Sequence, residues 1–261
     1  MLTCQLRCVF CQSNFHGLKQ HHLLASYFLC TIQRGYTLSI LEYGGRAIKI
    51  KNSEYFAFYS HLIGAAAALV GLVLLLIKTT RHVDLTLVAM IYGLSICGMF
   101  SFSAMYHGTK RKENAVNIWR KLDHIAIFFM IAGSYTPLCY IYLTGAWRWS
   151  IILVAWGCVV AGILLKVFFI GSLRIFSTIL YLMLGWLAIF PLRELWQNIP
   201  RSSFFTLLGG GIIYSIGALL YALKKPNPVP GIFGFHEIFH LLILAGAILH
   251  YIVINIALTP V

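Results

Sequence analysis

The chain has 261 residues, of which 60% are hydrophobic and only 10% charged, with a mean hydropathy of +0.83. A soluble domain carries about 25% charged residues, so composition excludes an ordinary water-soluble enzyme and points to a polytopic membrane protein. The net charge of +13 comes from 20 Lys plus Arg against 7 Asp plus Glu, but the basic residues cluster between apolar runs, where they set topology and meet anionic headgroups, so no nucleic-acid partner is expected.

Residues 1–50 precede the first long apolar run and read as a poorly ordered tail, or as an over-extended start of the reading frame. They contain Cys4, Cys8 and Cys11 in a C-x3-C-x2-C spacing. That spacing resembles the cluster loop of radical S-adenosylmethionine enzymes, in which three thiolates hold iron–sulfur. Such enzymes need an α/β barrel after the motif, and apolar spans follow here, so the spacing is read as coincidence. HLLASYFLC, residues 22–30, is too short and lacks the cleavage site of a secretory signal. Cys97, Cys139 and Cys158 lie inside apolar runs and read as small core residues, with no disulfide framework.

Seven apolar runs approach the roughly 20 residues that a spanning helix requires. They cover about 55–77, 83–106, 123–143, 149–169, 175–193, 203–223 and 236–256, so residues 51–258 are expected to form one seven-helix membrane bundle. Continuous runs of this length favour helices over a transmembrane barrel. The longest connection, 107–122, includes GTKRKENAVNIWRK and is expected to hold a short amphipathic helix. Gly-rich stretches such as LGGGIIYSIG suit close helix contact.

Orientation follows from the basic flanks. With a cytoplasmic N-terminus, the inner flanks hold Arg46, Lys49, Lys51, Lys110, Arg111, Lys112, Arg120, Lys121, Lys166, Arg174, Lys224 and Lys225. The outer flanks hold only Lys78, Arg81, Arg148, Arg193 and Arg201. The bias predicts the N-terminus inside and the C-terminus outside.

Ionisable residues in spans are costly and are functional candidates. In this topology Glu54 and His61 of the first span, Ser103 and His107 of the second, Asp123 and His124 of the third, and His236, Glu237 and His240 of the seventh share the cytoplasmic side. His236 and His240 are i,i+4, on one helical face and about 6 Å apart in rise. Two imidazoles so placed can hold one metal ion, and HEIFH literally matches the H-E-x-x-H string of zinc proteases. His107 offers a third ligand at the same depth. Three neutral imidazoles leave Zn²⁺ its double charge and an open position, the pattern of a catalytic site. Asp123 is placed to orient or deprotonate a water. Ser103, one turn before His107, can hydrogen-bond that water, Asp123 or a substrate carbonyl. The competing bland reading is a polar network tying helices together without metal. His61, His124 and His250 are read as packing or interhelical hydrogen-bonding residues. His250 lies about 21 Å along the axis from His236 and cannot share its metal. Glu54 is expected to pair with a basic residue near the headgroups.

These residues carry a family resemblance. S-x-x-x-H at the end of the second span, LDHIAIFFMIAGSYTPL at 122–138 and HEIFHLLILAGAILHY in the seventh resemble the hemolysin III and progestin and adipoQ receptor superfamily, which is akin to the alkaline ceramidases. EYFAFYSHLIGAAAALVG, residues 54–71, is similar to the family's first helix, although its usual E-x-x-N-x-x-x-H pattern has Ala57 at the Asn position. The resemblance covers about residues 50–256 and is strongest to the bacterial branch. It implies a seven-helix bundle in the bacterial plasma membrane, with a zinc ion held near the cytoplasmic side by His107, His236 and His240. Three functions stay open, in this order: a zinc-dependent hydrolase of a lipid amide or ester, a receptor or sensor with structural zinc, and a cytolytic pore. Membrane lipids and a lipid-like substrate or ligand are the expected partners; substrate, oligomeric state and the roles of Glu237 and His250 are not legible.

Overall fold

The computed structural model describes residues 52–110, 117–168, 174–230 and 233–259, together with 42–43, 46–47 and 50. The chain divides into two compact units, Met1–Ala47 and Ile48–Val261. In the first, β1 (Glu42–Tyr43) pairs antiparallel with β2 (Arg46–Ala47), Glu42 opposite Ala47. The expected tail, apart from this ribbon, lies outside the described residues, as do the Cys4, Cys8 and Cys11 spacing and residues 111–116 of the expected amphipathic segment.

The second unit is helical. A 3-10 turn at Asn52–Glu54 leads into α1 (Tyr55–Thr79), followed by α2 (Val83–Thr109), α3 (Ile118–Tyr142), α4 (Gly145–Phe168), α5 (Arg174–Gly185), α6 (Leu192–Asn198), α7 (Arg201–Leu223) and α8 (Phe235–Ala257). Six of these, α1 to α4, α7 and α8, are long and apolar enough to cross a membrane. The outward faces carry Ile63, Ile77, Leu153, Ile175 and Phe190, all exposed. Such an apolar surface would be a liability in water and is the expected one in lipid.

The fifth span differs from the straight helix expected at 175–193. It is a pair, with α5 and its 3-10 extension at Leu187–Ile189 bent by 56° from α6. Pro191 stands at the break, where its missing N–H and ring stop the helix. The pair still crosses the bundle. Ser177 at its start meets Lys166 at the end of α4. Glu194 in α6 accepts from the Thr144 N–H at 2.6 Å, and Asn198 donates to the Tyr142 carbonyl at 2.8 Å, both at the opposite end. With this pair counted as one span, the described residues hold seven candidate spans.

Close approach depends on small residues. A Cβ on Gly64 would lie 2.8 Å from both Leu244 Cδ2 and Phe100 Cδ1, so α1, α2 and α8 meet there backbone to side chain. At the far end Lys78 Nζ donates to Asn255 Oδ1 at 2.5 Å, fastening α1 to α8. The most enclosed span is α3. Its start is set by Asn117, whose side-chain oxygen accepts the Arg120 N–H at 2.8 Å. That cap places Arg120, Asp123 and His124 on the first turns, at the end of the bundle where α2 finishes and α8 begins.

Candidate metal centre

The cluster grows from three helix ends. At the start of α8, Gly234 is the N-cap, and Glu237 reaches back to accept the Gly234 N–H at 2.8 Å. Glu237, unexplained by sequence, thus satisfies one of the orphan donors of a helix start. It also caps the helix instead of serving as the acidic group of an H-E-x-x-H protease. With α8 started there, His236 and His240 project into the bundle on one face, their Nε2 atoms 3.2 Å apart. His107 arrives from the last turn of α2. One donor nitrogen from each of His107, His236 and His240 lies within 4.8 Å of the other two, so this group could hold a metal ion.

The donor chemistry fits a metal. Two nitrogens bound to zinc at about 2.0–2.1 Å with tetrahedral angles lie about 3.3 Å apart, close to the His236–His240 separation of 3.2 Å. Both nitrogens at this contact are acceptors when metal-bound, which would make it repulsive without a shared cation or proton. His107 is oriented from behind: Glu54 Oε2 lies 2.6 Å from its Nδ1, leaving Nε2 for the cluster. A carboxylate behind a histidine fixes tautomer and ring angle and strengthens a metal ligand. The other Glu54 oxygen takes Lys110 Nζ at 2.7 Å. Burial would raise the Glu54 pKa, but the bonds to His107 and Lys110 outweigh it and hold the carboxyl down at about 2. The expected basic partner of Glu54 is therefore Lys110; the contact with His107 was not foreseen, and the only sequence signal for it is Glu54 opening the family-like first-helix pattern.

Asp123 and Ser103 meet beside this group. Ser103 is buried on α2, one turn before His107, and lines the same cavity as Asp123. All five predicted site residues, His107, His236, His240, Asp123 and Ser103, line one cavity.

The remaining histidines separate by environment. The ring centroid of His61 lies 3.9 Å from that of His240, its other side meets Phe100 edge-on, and neither ring nitrogen has a hydrogen-bond partner among the described residues. It packs on a cluster histidine, which sequence spacing did not reveal. His124 Nδ1 bonds the Arg120 carbonyl at 2.9 Å and sits 3.4 Å from Asp123, a local helix-start role. His250 lies against Tyr214 and Gly210 farther along α8, away from the cluster.

The cavity has a volume of about 940 Å³. It runs from Glu54, His107 and His236 at one end to Leu143 and Leu195 at the other, between apolar walls that include Met130 and Ile243.

Comparison with known proteins agrees with this architecture. A family model described as haemolysin-III related matches residues 49–251. The chain belongs to that family. It is 32% identical over 203 residues to Hemolysin-3 of Bacillus cereus, covering 77% of this chain and 90% of the relative. It is 31% identical over 194 residues to the Hemolysin-3 homolog of Bacillus subtilis (strain 168), covering 72% and 86%. An Adiponectin receptor protein of Drosophila melanogaster is 27% identical over 214 residues, covering 74% of this chain and 48% of the relative. The chain is thus a multi-pass integral membrane protein of the haemolysin-III type.

Proposed function

We propose that this protein is a zinc-dependent hydrolase of a lipid amide or ester, working inside the bilayer. The observation that carries the proposal is the shared cavity: His107, His236, His240, Asp123 and Ser103 all border one space whose farther walls are apolar. His107, His236 and His240 hold the ion, and Glu54 orients His107 from behind. When bound, zinc supplies a Lewis acid at the polar end of the cavity.

The chain's own groups account for the rest. An acyl chain lies along the apolar walls, which keep bulk water from it. Asp123 takes a proton from the attacking water as the water oxygen bonds the carbonyl carbon. The acyl C–N or C–O bond breaks, and the proton passes from Asp123 to the leaving nitrogen or oxygen. Ser103 holds Asp123 by hydrogen bond and keeps its carboxylate aimed into the cavity. A fatty acid and an amine or alcohol are the products.

The basic flanks support placing the histidine end at the cytoplasmic face of a bacterial plasma membrane. A periplasmic-type phosphatase fused after Val261 is then active; an inactive fusion beside a fluorescent cytoplasmic one reverses the orientation.

The test is metal content by plasma mass spectrometry, with turnover of lipid amides and esters, for wild type and the His236→Ala/His240→Ala double variant. About one zinc per chain and measurable turnover, both lost in the double variant, support the proposal. Metal without turnover favours a receptor with structural zinc, a reading supported by the name of the Drosophila relative. Leakage of liposomes holding the pure protein, metal or not, would favour the lytic activity that the Bacillus names suggest.

A further inference from the structure

Lys166 is the most unusual charge in the bundle. The buried residues of α4 are Ile151, Ala155, Val159, Gly162 and Lys166, one stripe at helical spacing, so the lysine continues an otherwise apolar inner face. It does not snorkel outward, as a lysine near a helix end usually does. Only 5% of it is exposed, and its Nζ donates to Ser177 Oγ on α5 at 2.5 Å, 6.0 Å from the centre of the Tyr181 ring. No carboxylate among the described residues pairs with it; the ion pairs there are Glu54 with His107 and Lys110, and Asp123 with His124.

A second cation stands near. Arg120 on the first turn of α3 is half-buried, lines the same cavity as Lys166 and has no carboxylate partner among the described residues either. The first turn of α3 lies against the end of α4, where Lys121 Nζ donates to the Val167 carbonyl at 3.1 Å, so the two cations border the same part of the cavity. Asp123, one turn along α3 from Arg120, lies 3.4 Å from His124 and makes no ion pair with either cation among the described residues. Two unpaired cations facing one cavity are stable together when an anion lies between them.

We infer that Lys166 and Arg120 form a seat for the phosphate of a lipid headgroup, at the polar end of the cavity and one helical turn from Asp123. A guanidinium fork and an ammonium point charge lining one cavity are a complementary pair for phosphate oxygens. The apolar walls continue from this seat toward Leu143 and Leu195, which gives the ligand's acyl chain its place. The cavity volume of about 940 Å³ is at the upper end for small-molecule sites. As a statement about substrate class this rests on the hydrolase proposal: the substrate is a phosphate-bearing acyl lipid whose headgroup is held so that its carbonyl lies beside Asp123 and the three histidines. As a statement about binding it stands apart from turnover.

The experiment measures binding to the full chain in detergent, with dodecanoyl lysophosphatidate, monododecanoylglycerol and inorganic phosphate as probes. It compares wild type with Lys166→Met, Arg120→Gln and His240→Ala. Wild type is expected to bind the lysophosphatidate at least about tenfold more tightly than the glyceride. That preference should disappear in Lys166→Met and in Arg120→Gln and persist in His240→Ala, whatever the outcome for turnover. Lys166→Met without lipid should also melt higher than wild type, because an unpaired buried charge is gone. Arg120 lies nearer the surface, so its variant decides the question if Lys166→Met does not fold. Equal affinity for the two lipids, or a preference unchanged in Arg120→Gln, overturns the inference while leaving the hydrolase proposal untouched. Inorganic phosphate protecting the protein as well as the lysophosphatidate does would assign the seat to a free anion and overturn the lipid headgroup.

Discussion

Replacing Glu54 by Gln tests whether the carboxylate behind His107 serves the metal. The native contacts are 2.6 Å to His107 Nδ1 and 2.7 Å to Lys110 Nζ, both with a buried carboxylate. Glutamine keeps the shape and one acceptor but removes the negative charge. A hydrogen bond to a charged group contributes about 1.5–3 kcal/mol, and loss of a carboxylate behind a metal-binding histidine weakens metal affinity by about 10–100-fold. The two scales agree, since 10–100-fold corresponds to about 1.4–2.7 kcal/mol. Competition against a chelator of known strength, read by plasma mass spectrometry, should show that weakening in Glu54→Gln. His107→Ala, which removes the ligand itself, should lose the ion entirely. Unchanged metal affinity in Glu54→Gln would refute the reasoning, leaving Glu54 only a tie between the first turn and α2.

On the hydrolase proposal, Asp123→Asn should keep any bound metal and lose about 10²–10⁴-fold in turnover, whereas Ser103→Ala should lose less; both are read by single-substrate kinetics on metal-assayed protein. Chelation should lower the thermal transition of wild type, because an ion bound only by the folded state stabilises it by about 4 kcal/mol at a thousand times its Kd. The His236→Ala/His240→Ala variant should show no such shift in the same melting assay. Gly162→Ala should destabilise by about 1–3 kcal/mol, because the new Cβ would lie 2.4 Å from the Phe128 ring. Tyr181 packs edge-on against that ring at 4.7 Å and limits its retreat. A melting temperature equal to wild type would show that α3 and α4 can separate at no cost.

Much of this protein is local and was therefore legible in the chain. A span is a run of apolar residues long enough for a bilayer, so α1 to α4, α7 and α8 each stand out as an apolar run in the sequence, although α3 and α4 begin before the runs expected for them. The i,i+4 geometry of His236 and His240 follows from the helical repeat. Two further features are just as local: Glu237 at the third position of α8 acts as a cap, and Lys166, expected among the inner-flank basic residues, lies on the buried inner stripe of α4. Other features depend on which helices become neighbours. Glu54 and His107 are 53 residues apart and meet because α1 and α2 pack with their ends in register. His61 packs against His240, the rings tilted by 47°, because Gly64, one turn on, lets α1 and α8 approach. The bend at Pro191 leaves the pair α5 and α6 to span the bundle, and whether a proline kinks a span or ends it is decided by what its freed carbonyls and side chains find on the neighbouring helices. Hydrophobic length and helical periodicity are properties of one segment and survive in the sequence. Partnership between segments is set by shape and small-residue contact in three dimensions, and only the folded bundle determines it.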